Sequence, residues 1–267
     1  MEKVFVPSMT WREVETAVKK KPVVLFPLGS IEQHGPHAPV GDYRMAEDWS
    51  IQAAKIAGNT IVLPVMPFGY SESFRGFPGC LTVRPQTLYS VVKDVTECVL
   101  DWGVDHLLFV NGHKGNDSAL DLVGRDVNRK RGIITGAVAP FSCVTPAYES
   151  ELYGEKVDEL GHGADPVASM ASSLYPDDVR MDLAEKMELN GDYGPFRFVG
   201  PGRLQLEGVP VSFYQYWKEA YPNGVQGDPW LFDRELGKKM SDRVVEMLVK
   251  IIGAFRGLDT RSRFMNG

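Results

Sequence analysis

One short run does most to constrain the fold: Pro22-Val-Val-Leu-Phe-Pro-Leu28, which passes directly into Gly29-Ser-Ile-Glu-Gln-His-Gly35. It is too short for a stable helix and rich in branched side chains, so it reads as a strand. With no polar alternation, that strand has to be buried on both faces, and helices must lie above and below it. The rest of the chain supplies the parts. Residues 60–65 (TIVLPV), 106–110 (HLLFV) and 133–139 (IITGAVA) read as further strands. Between and after them, apolar residues recur at helical spacing over residues 43–57 (Met45, Trp49, Ala53, Ile56) and from Thr87 onward (Leu88, Val91, Val92, Val95, Val99). Residues 116–130 and 233–255 complete the set, the last with Leu236, Met240, Met247, Leu248, Ile251 and Phe255 as its stripe. Strand, loop and helix in this alternation predict an α/β fold, a parallel sheet covered by helices on both faces. No repeat or linker divides the 267 residues, so a single domain over 1–267 is expected.

Charge and hydropathy narrow the function. Lys and Arg number 29 against 35 Asp and Glu, a net charge of −6, which argues against a nucleic-acid surface. The longest basic run, Lys19-Lys20-Lys21, falls at the end of a helix, where cations complement the dipole. No stretch approaches the ~18 apolar residues of a membrane span. The start, MEKVFVPSMTW, lacks the pattern of a secretory signal, and three scattered cysteines (Cys80, Cys98, Cys143) give neither a disulfide framework nor a paired-cysteine metal site. A cytoplasmic protein is expected. Residues 140–161 and 190–227 are rich in Gly, Pro and aromatics with poor periodicity; they read as irregular walls and lids of a site, or as a satellite apolar cluster under long loops.

Four of the five histidines sit in polar, glycine-containing loops, and ligands of open parallel sheets bind beyond the carboxyl ends of the strands. The fifth, His106, starts a strand and reads as structural. Leaving the first strand, Glu32 and His34 are two residues apart and project to one side, half of a zinc- or iron-type site. Asp42, a short turn away, can swing back as a second carboxylate, and a bridging carboxylate makes a two-metal centre possible. His113, flanked by Gly112 and Lys114-Gly115, is free to point over the sheet edge, while Asn116 reads as the cap of the next helix. In Gly161-His162-Gly-Ala-Asp165-Pro166, Asp165 reads as an N-cap ahead of proline, and His162 is free to act as acid, base or substrate ligand. No GxSxG elbow is present, Cys80 has no paired histidine, and the loop after the first strand is not GxGxxG.

The string Pro27-Leu-Gly-Ser-Ile-Glu-Gln-His-Gly-Pro-His-Ala-Pro-Val-Gly-Asp42 resembles the hallmark segment of the creatininase (creatinine amidohydrolase) family. Pro67-Phe-Gly-Tyr-Ser-Glu-Ser-Phe-Arg-Gly-Phe-Pro-Gly79, Asn111-Gly-His-Lys-Gly-Asn116 and Gly224-Val-Gln-Gly-Asp-Pro229 resemble its later segments, in order. The resemblance implies a three-layer α/β/α sandwich with a mainly parallel sheet, assembled as a homohexamer, with one or two divalent ions (Zn, Mn or Fe) at the sheet's C-terminal edge. It implies Glu32, His34, Asp42 and His113 as metal ligands, and Glu32 and His162 as the catalytic pair. Ser73, Lys114 and Asp165 are the candidate substrate-binding residues, Lys114 as a positive charge for an anionic group. The chain also departs from the family pattern. It is one residue shorter between His34 and Asp42, and it carries Gly115 and Val167 where creatininase has glutamates.

The function these features predict is a metal-dependent hydrolase that opens a cyclic amide, or a related small cyclic carbonyl compound, with metal-activated water. Two alternatives remain on the sequence: ring opening of a cyclic diketone derived from inositol, and a non-catalytic metal- or ligand-binding protein on the same fold. The expected partner is a small-molecule substrate, with neither nucleic acid nor membrane.

Overall fold

Every residue of strand β1 (Val23–Leu28) is buried, as its composition requires. The computed structural model describes residues 3–187, 193–200 and 202–262. Helix α1 (Trp11–Val18) precedes β1. There follow α2 (Asp42–Ala57), β2 (Thr60–Val62), α3 (Pro85–Asp101), β3 (His106–Asn111), α4 (Asp117–Arg131) and β4 (Gly136–Val138). The second half holds α5 (Pro146–Tyr153), α6 (Val167–Leu174), β5 (Arg197–Gly200), β6 (Arg203–Leu206), β7 (Val209–Ser212), α7 (Trp217–Ala220) and α8 (Arg234–Arg256).

The main sheet is wholly parallel, in the order β2-β1-β3-β4. Its two faces are separate cores, and the side chains of β1 and β3 alternate between them. Val23, Leu25, Leu108 and Val110 pack with Trp49 of α2, Met170 of α6 and Met240, Val244 and Leu248 of α8. Val24, Phe26, Leu107 and Phe109 pack on the other face with Leu88 and Val92 of α3 and Leu120 and Val123 of α4. The three-layer α/β/α arrangement follows directly from that alternation.

Several boundaries differ from expectation for local reasons. Regular pairing of β2 ends at Val62, because Pro64 has no N–H to give and Val65 donates to the Glu47 carboxylate at 2.9 Å. The strand expected over 133–139 is regular only at 136–138; Ile133 and Ile134 pair instead with the C-terminal tail, Ile134 N–H donating to the Thr260 carbonyl at 2.7 Å. Helix α5 lies inside the stretch expected to be irregular. Thr145 caps it by accepting from Tyr148 N–H, with Pro146 at the first helical position.

Residues 190–227 depart most. Their described part holds a three-stranded antiparallel sheet, β5-β6-β7, and the short α7. Glu207 (φ 50°) and Gly208 (φ 83°) form a two-residue turn with both φ values positive, the geometry that matches strand twist in a hairpin. The sheet packs Phe198 against a third apolar cluster of Phe74, Trp217 and Tyr221.

Helix α8 covers one face of the sheet, and its start is pinned. Asp233 accepts from Glu235 N–H and Leu236 N–H at 2.8 and 3.1 Å, while its own N–H donates to Ser169 Oγ on α6. Asp233→Ala should therefore cost about 1 kcal/mol and Asp233→Asn much less, read from urea unfolding midpoints at unchanged slope.

Candidate metal centre and its cavity

The centre forms where β1 and β3 end side by side, with Leu28 in register with Asn111. Asn116 holds the loops beyond them. Its side-chain amide donates to the Gly29 carbonyl and to Asn111 Oδ1, both at 3.1 Å, and its Oδ1 accepts from Tyr70 N–H at 3.0 Å. It makes no capping bond to α4, so the expected capping role is replaced by a staple across three loops. Asp42 opens α2, and its carboxylate accepts from Ser30 N–H (2.6 Å) and Ser30 Oγ (3.2 Å). A carboxylate in a first turn is also favoured by the helix dipole.

These anchors bring Glu32, His34, Asp42 and His113 together, all at most 7% exposed. His113 Nδ1 lies 2.8 Å from Glu32 Oε2 and 3.4 Å from Asp42 Oδ2. His34 Nε2 lies 3.5 Å from Glu32 Oε1. Each imidazole is oriented by a backbone carbonyl on its far nitrogen. His113 Nε2 faces Tyr70 O at 2.9 Å, His34 Nδ1 faces Pro39 O at 3.3 Å, and His162 Nε2 faces Gln33 O at 2.8 Å. A carbonyl only accepts, so each of those nitrogens carries a proton, and the nitrogen facing the centre offers a lone pair whenever the ring is neutral.

His162 is set by the late turn motif. Gln226 N–H donates to the His162 carbonyl at 2.7 Å, and the Gly224 carbonyl accepts from Trp217 Nε1 and Gln33 Nε2. The His162 ring stacks on Phe74 at 4.5 Å and meets the edge of Trp217 at 4.8 Å. Two groups of donors result, Glu32–Asp42–His113 and Glu32–His34–His162, with the donor atoms in each all within 4.8 Å of one another. Glu32 belongs to both. Sequence reading placed His162 as a proton carrier and did not anticipate its membership in a donor group.

Charge balance without an ion is uneven. Burial works to raise the Glu32 carboxyl, but His113 and His34 outweigh it and hold Glu32 well below the usual range. Burial raises Asp42 above its ordinary value. Burial opposes protonation of His113 and His34, yet the carboxylates beside them raise both, His113 most. His162 is the opposite case: burial lowers it to about 4, so its ring is neutral at pH 7. Despite the 2.8 Å separation, Glu32 Oε2 receives no aligned hydrogen bond. A buried, unsatisfied carboxylate oxygen facing an imidazole lone pair is what a cation would fill.

The centre forms the floor of a cavity of about 710 Å³. Ser73 and Lys114, the candidate substrate-binding residues, line it, and so do Gly115 and Val167. Asp165 does not. Its carboxylate accepts from the Tyr153 hydroxyl at 2.8 Å and from Ser169 Oγ and N–H, and it is fully buried. It ties α5 to α6 from the residue preceding Pro166, rather than from the N-cap position itself. His106 is structural, its Nε2–H donating to the Leu258 carbonyl at 3.0 Å with its ring edge-on to Phe255. Sequence reasoning missed Tyr70, which acts through its backbone, as well as Phe74, Trp217 and Arg203. The Glu207-Gly208 turn between alternating apolar residues was the signal that could have placed Arg203 on a strand.

Comparison with known proteins agrees with this fold. A 3-dehydro-scyllo-inosose hydrolase from Thermotoga maritima is 23% identical over 269 residues, 93% of this chain and 82% of its own. A mycofactocin precursor peptide peptidase from Mycolicibacterium smegmatis is 34% identical over 119 residues; that match spans 42% of this chain and under half, 47%, of the relative. Among solved structures, a creatininase superposes with a TM-score of 0.79 at 24% identity, covering 97% of this chain and all of the other. Creatininases in a Zn–Zn form and a Mn form give 0.77 and 0.76, at 24% and 23% identity, covering 97% and 96% of this chain and all of theirs. The creatininase family profile, described as creatinine amidohydrolase, matches residues 7–252, and the chain belongs to that family.

Proposed function

We propose that this protein hydrolyses the amide bond of a cyclic amide or related small carbonyl compound, with Glu32, His34, Asp42 and His113 holding one or two divalent ions and His162 left to carry protons. The observation that carries the reading is the unsatisfied Glu32 Oε2, buried at the floor of the cavity beside His113 Nδ1, its carboxylate within 4.8 Å of an Asp42 oxygen. Mixed carboxylate and imidazole donors suit zinc, manganese or iron. Bound there, such an ion supplies a polarised substrate carbonyl and a water activated at neutral pH.

The chain's own residues supply the rest. Glu32, common to both donor groups, would help to hold the ion or ions, and its carboxylate can take a proton from the attacking water. His162, neutral and held by the Gln33 carbonyl, presents its other nitrogen to the cavity. That nitrogen can accept the proton from Glu32 and give it to the leaving nitrogen as the carbon–nitrogen bond breaks. Phe74 and Trp217 shield the ring from bulk water. A second reading, carbon–carbon ring opening of an inositol-derived diketone, is favoured by the Thermotoga relative, whose match runs almost the length of this chain. Turnover of cyclic amides against cyclic diketones by the same preparation separates the two.

Gly115 bears on how the ions are held. A Cβ there would stand 2.1 Å from the Tyr70 carbonyl and 2.4 Å from His113 Nε2, so the glutamate of creatininase is exchanged for a carbonyl clamp on the histidine.

Three outcomes follow. Elemental analysis of purified protein should find near-stoichiometric metal that falls in both His34→Ala and Asp42→Ala; a wild type that stays metal-free after reconstitution with zinc, manganese and iron would sink the hydrolase reading. Gly115→Ala should break the Tyr70–His113 clamp and weaken metal binding roughly 10- to 100-fold in chelator competition. In metal-free protein, long-range proton–nitrogen spectra should show His162 neutral down to a pH of about 4. Because its folded pKa lies below the ordinary 6.5, its contribution to stability is full above pH 6.5 and drains away as pH falls toward 4.

A further inference from the structure

Charge in the cavity wall is unevenly committed. The lining carboxylates are all engaged: Glu32 and Asp42 with the histidines of the centre, and Glu72 with Arg75 at 3.2 Å. The lining cations are not. Lys114, in the turn after β3, and Arg203, at the start of β6, pair with no carboxylate among the described residues. One follows the main sheet and the other belongs to the antiparallel one, and both are exposed side chains at the wall of the same cavity.

The rest of the wall is aromatic. Phe74, Phe141, Phe213, Tyr216 and Trp217 line the space between the centre and the β5-β6-β7 sheet. At about 710 Å³ the cavity lies in the upper part of the ~300–1,000 Å³ that drug-sized ligands occupy. A compact neutral ring held at the floor would form no ion pair with either cation.

We propose that the substrate is an amide that also bears a carboxylate. Lys114 and Arg203 receive the carboxylate, an apolar stretch lies along Phe74 and Trp217, and the scissile carbonyl reaches Glu32 and His162. Charge-assisted hydrogen bonds to a carboxylate are stronger and shorter than neutral ones, and Arg offers a two-pronged match to both oxygens. A cleft with free charge of one sign also gathers oppositely charged ligands, an effect that salt screens. The amide part of this assignment rests on the hydrolase reading; the carboxylate part rests on the two unpaired cations.

The test compares N-acetylphenylalanine with its uncharged twin, N-acetylphenylalaninamide. Each is titrated calorimetrically into the full chain, zinc-loaded and metal-free. The acid should bind about tenfold or more tightly than the amide in both forms at low salt, and the preference should shrink at high salt. Lys114→Met and Arg203→Met should each cut it several-fold, Arg203→Lys less, and the double Met variant should abolish it. Equal affinity for the two probes, no binding of the acid, or a preference that survives the double substitution would overturn the proposal. Metal content and amide turnover are read on the same preparation. Metal uptake and turnover without acid preference would defeat the carboxylate assignment alone, whereas acid preference in a chain that takes up no metal would defeat the hydrolase reading alone.

Discussion

Two buried carboxylates set against three imidazoles are the arrangement on which the rest of the structure depends. Removing such charges from water is costly unless they are paired, so a fold that gathers them must hold their partners in place. It does so with backbone. The carbonyls of Tyr70, Pro39 and Gln33 each fix one histidine, Ser30 fixes Asp42, and Asn116 locks together the loops that carry these groups. The side chains of the centre are therefore oriented from outside, with their remaining lone pairs directed inward.

The parallel sheet makes that possible by ending its two central strands at the same level. Loops leaving β1 and β3 emerge as neighbours, and the helices that follow present their N-termini on the same side. The second half of the chain then builds upward from this floor. His162 arrives on a loop held by the Gly224 turn, and the antiparallel sheet raises the cavity wall. Scaffold and wall are thus different kinds of structure: one buried, regular and parallel, the other short-stranded and partly exposed.

That division explains what could be read in the sequence. The buried strand of residues 22–28, the helical stripes and the residues Glu32, His34, Asp42 and His113 were legible, because hydrophobic period and motif spacing are local properties. The wall was not. Four-residue strands with one face exposed give little periodic signal, and their pairing depends on a turn of two residues. Asn116 and Asp165 were read too narrowly for a related reason. Each sits where a cap belongs in the sequence, yet in the fold its side chain reaches partners brought in from elsewhere: Gly29 and Tyr70 for one, Tyr153 for the other.

The position of α8 carries a consequence for how the molecule comes into being. Met240, Val244, Leu248 and Ile252 complete the core on one face of the sheet, and the tail after α8 pairs with residues 132–134 ahead of β4. Strands β1 and β3 are made long before these residues leave the ribosome. Until then Val23, Leu25, Leu108 and Val110 have only part of their cover, and the nascent chain carries a sticky half-finished surface. Completion waits until residues 240–262 have been made, so this interval is when a chaperone would engage the chain.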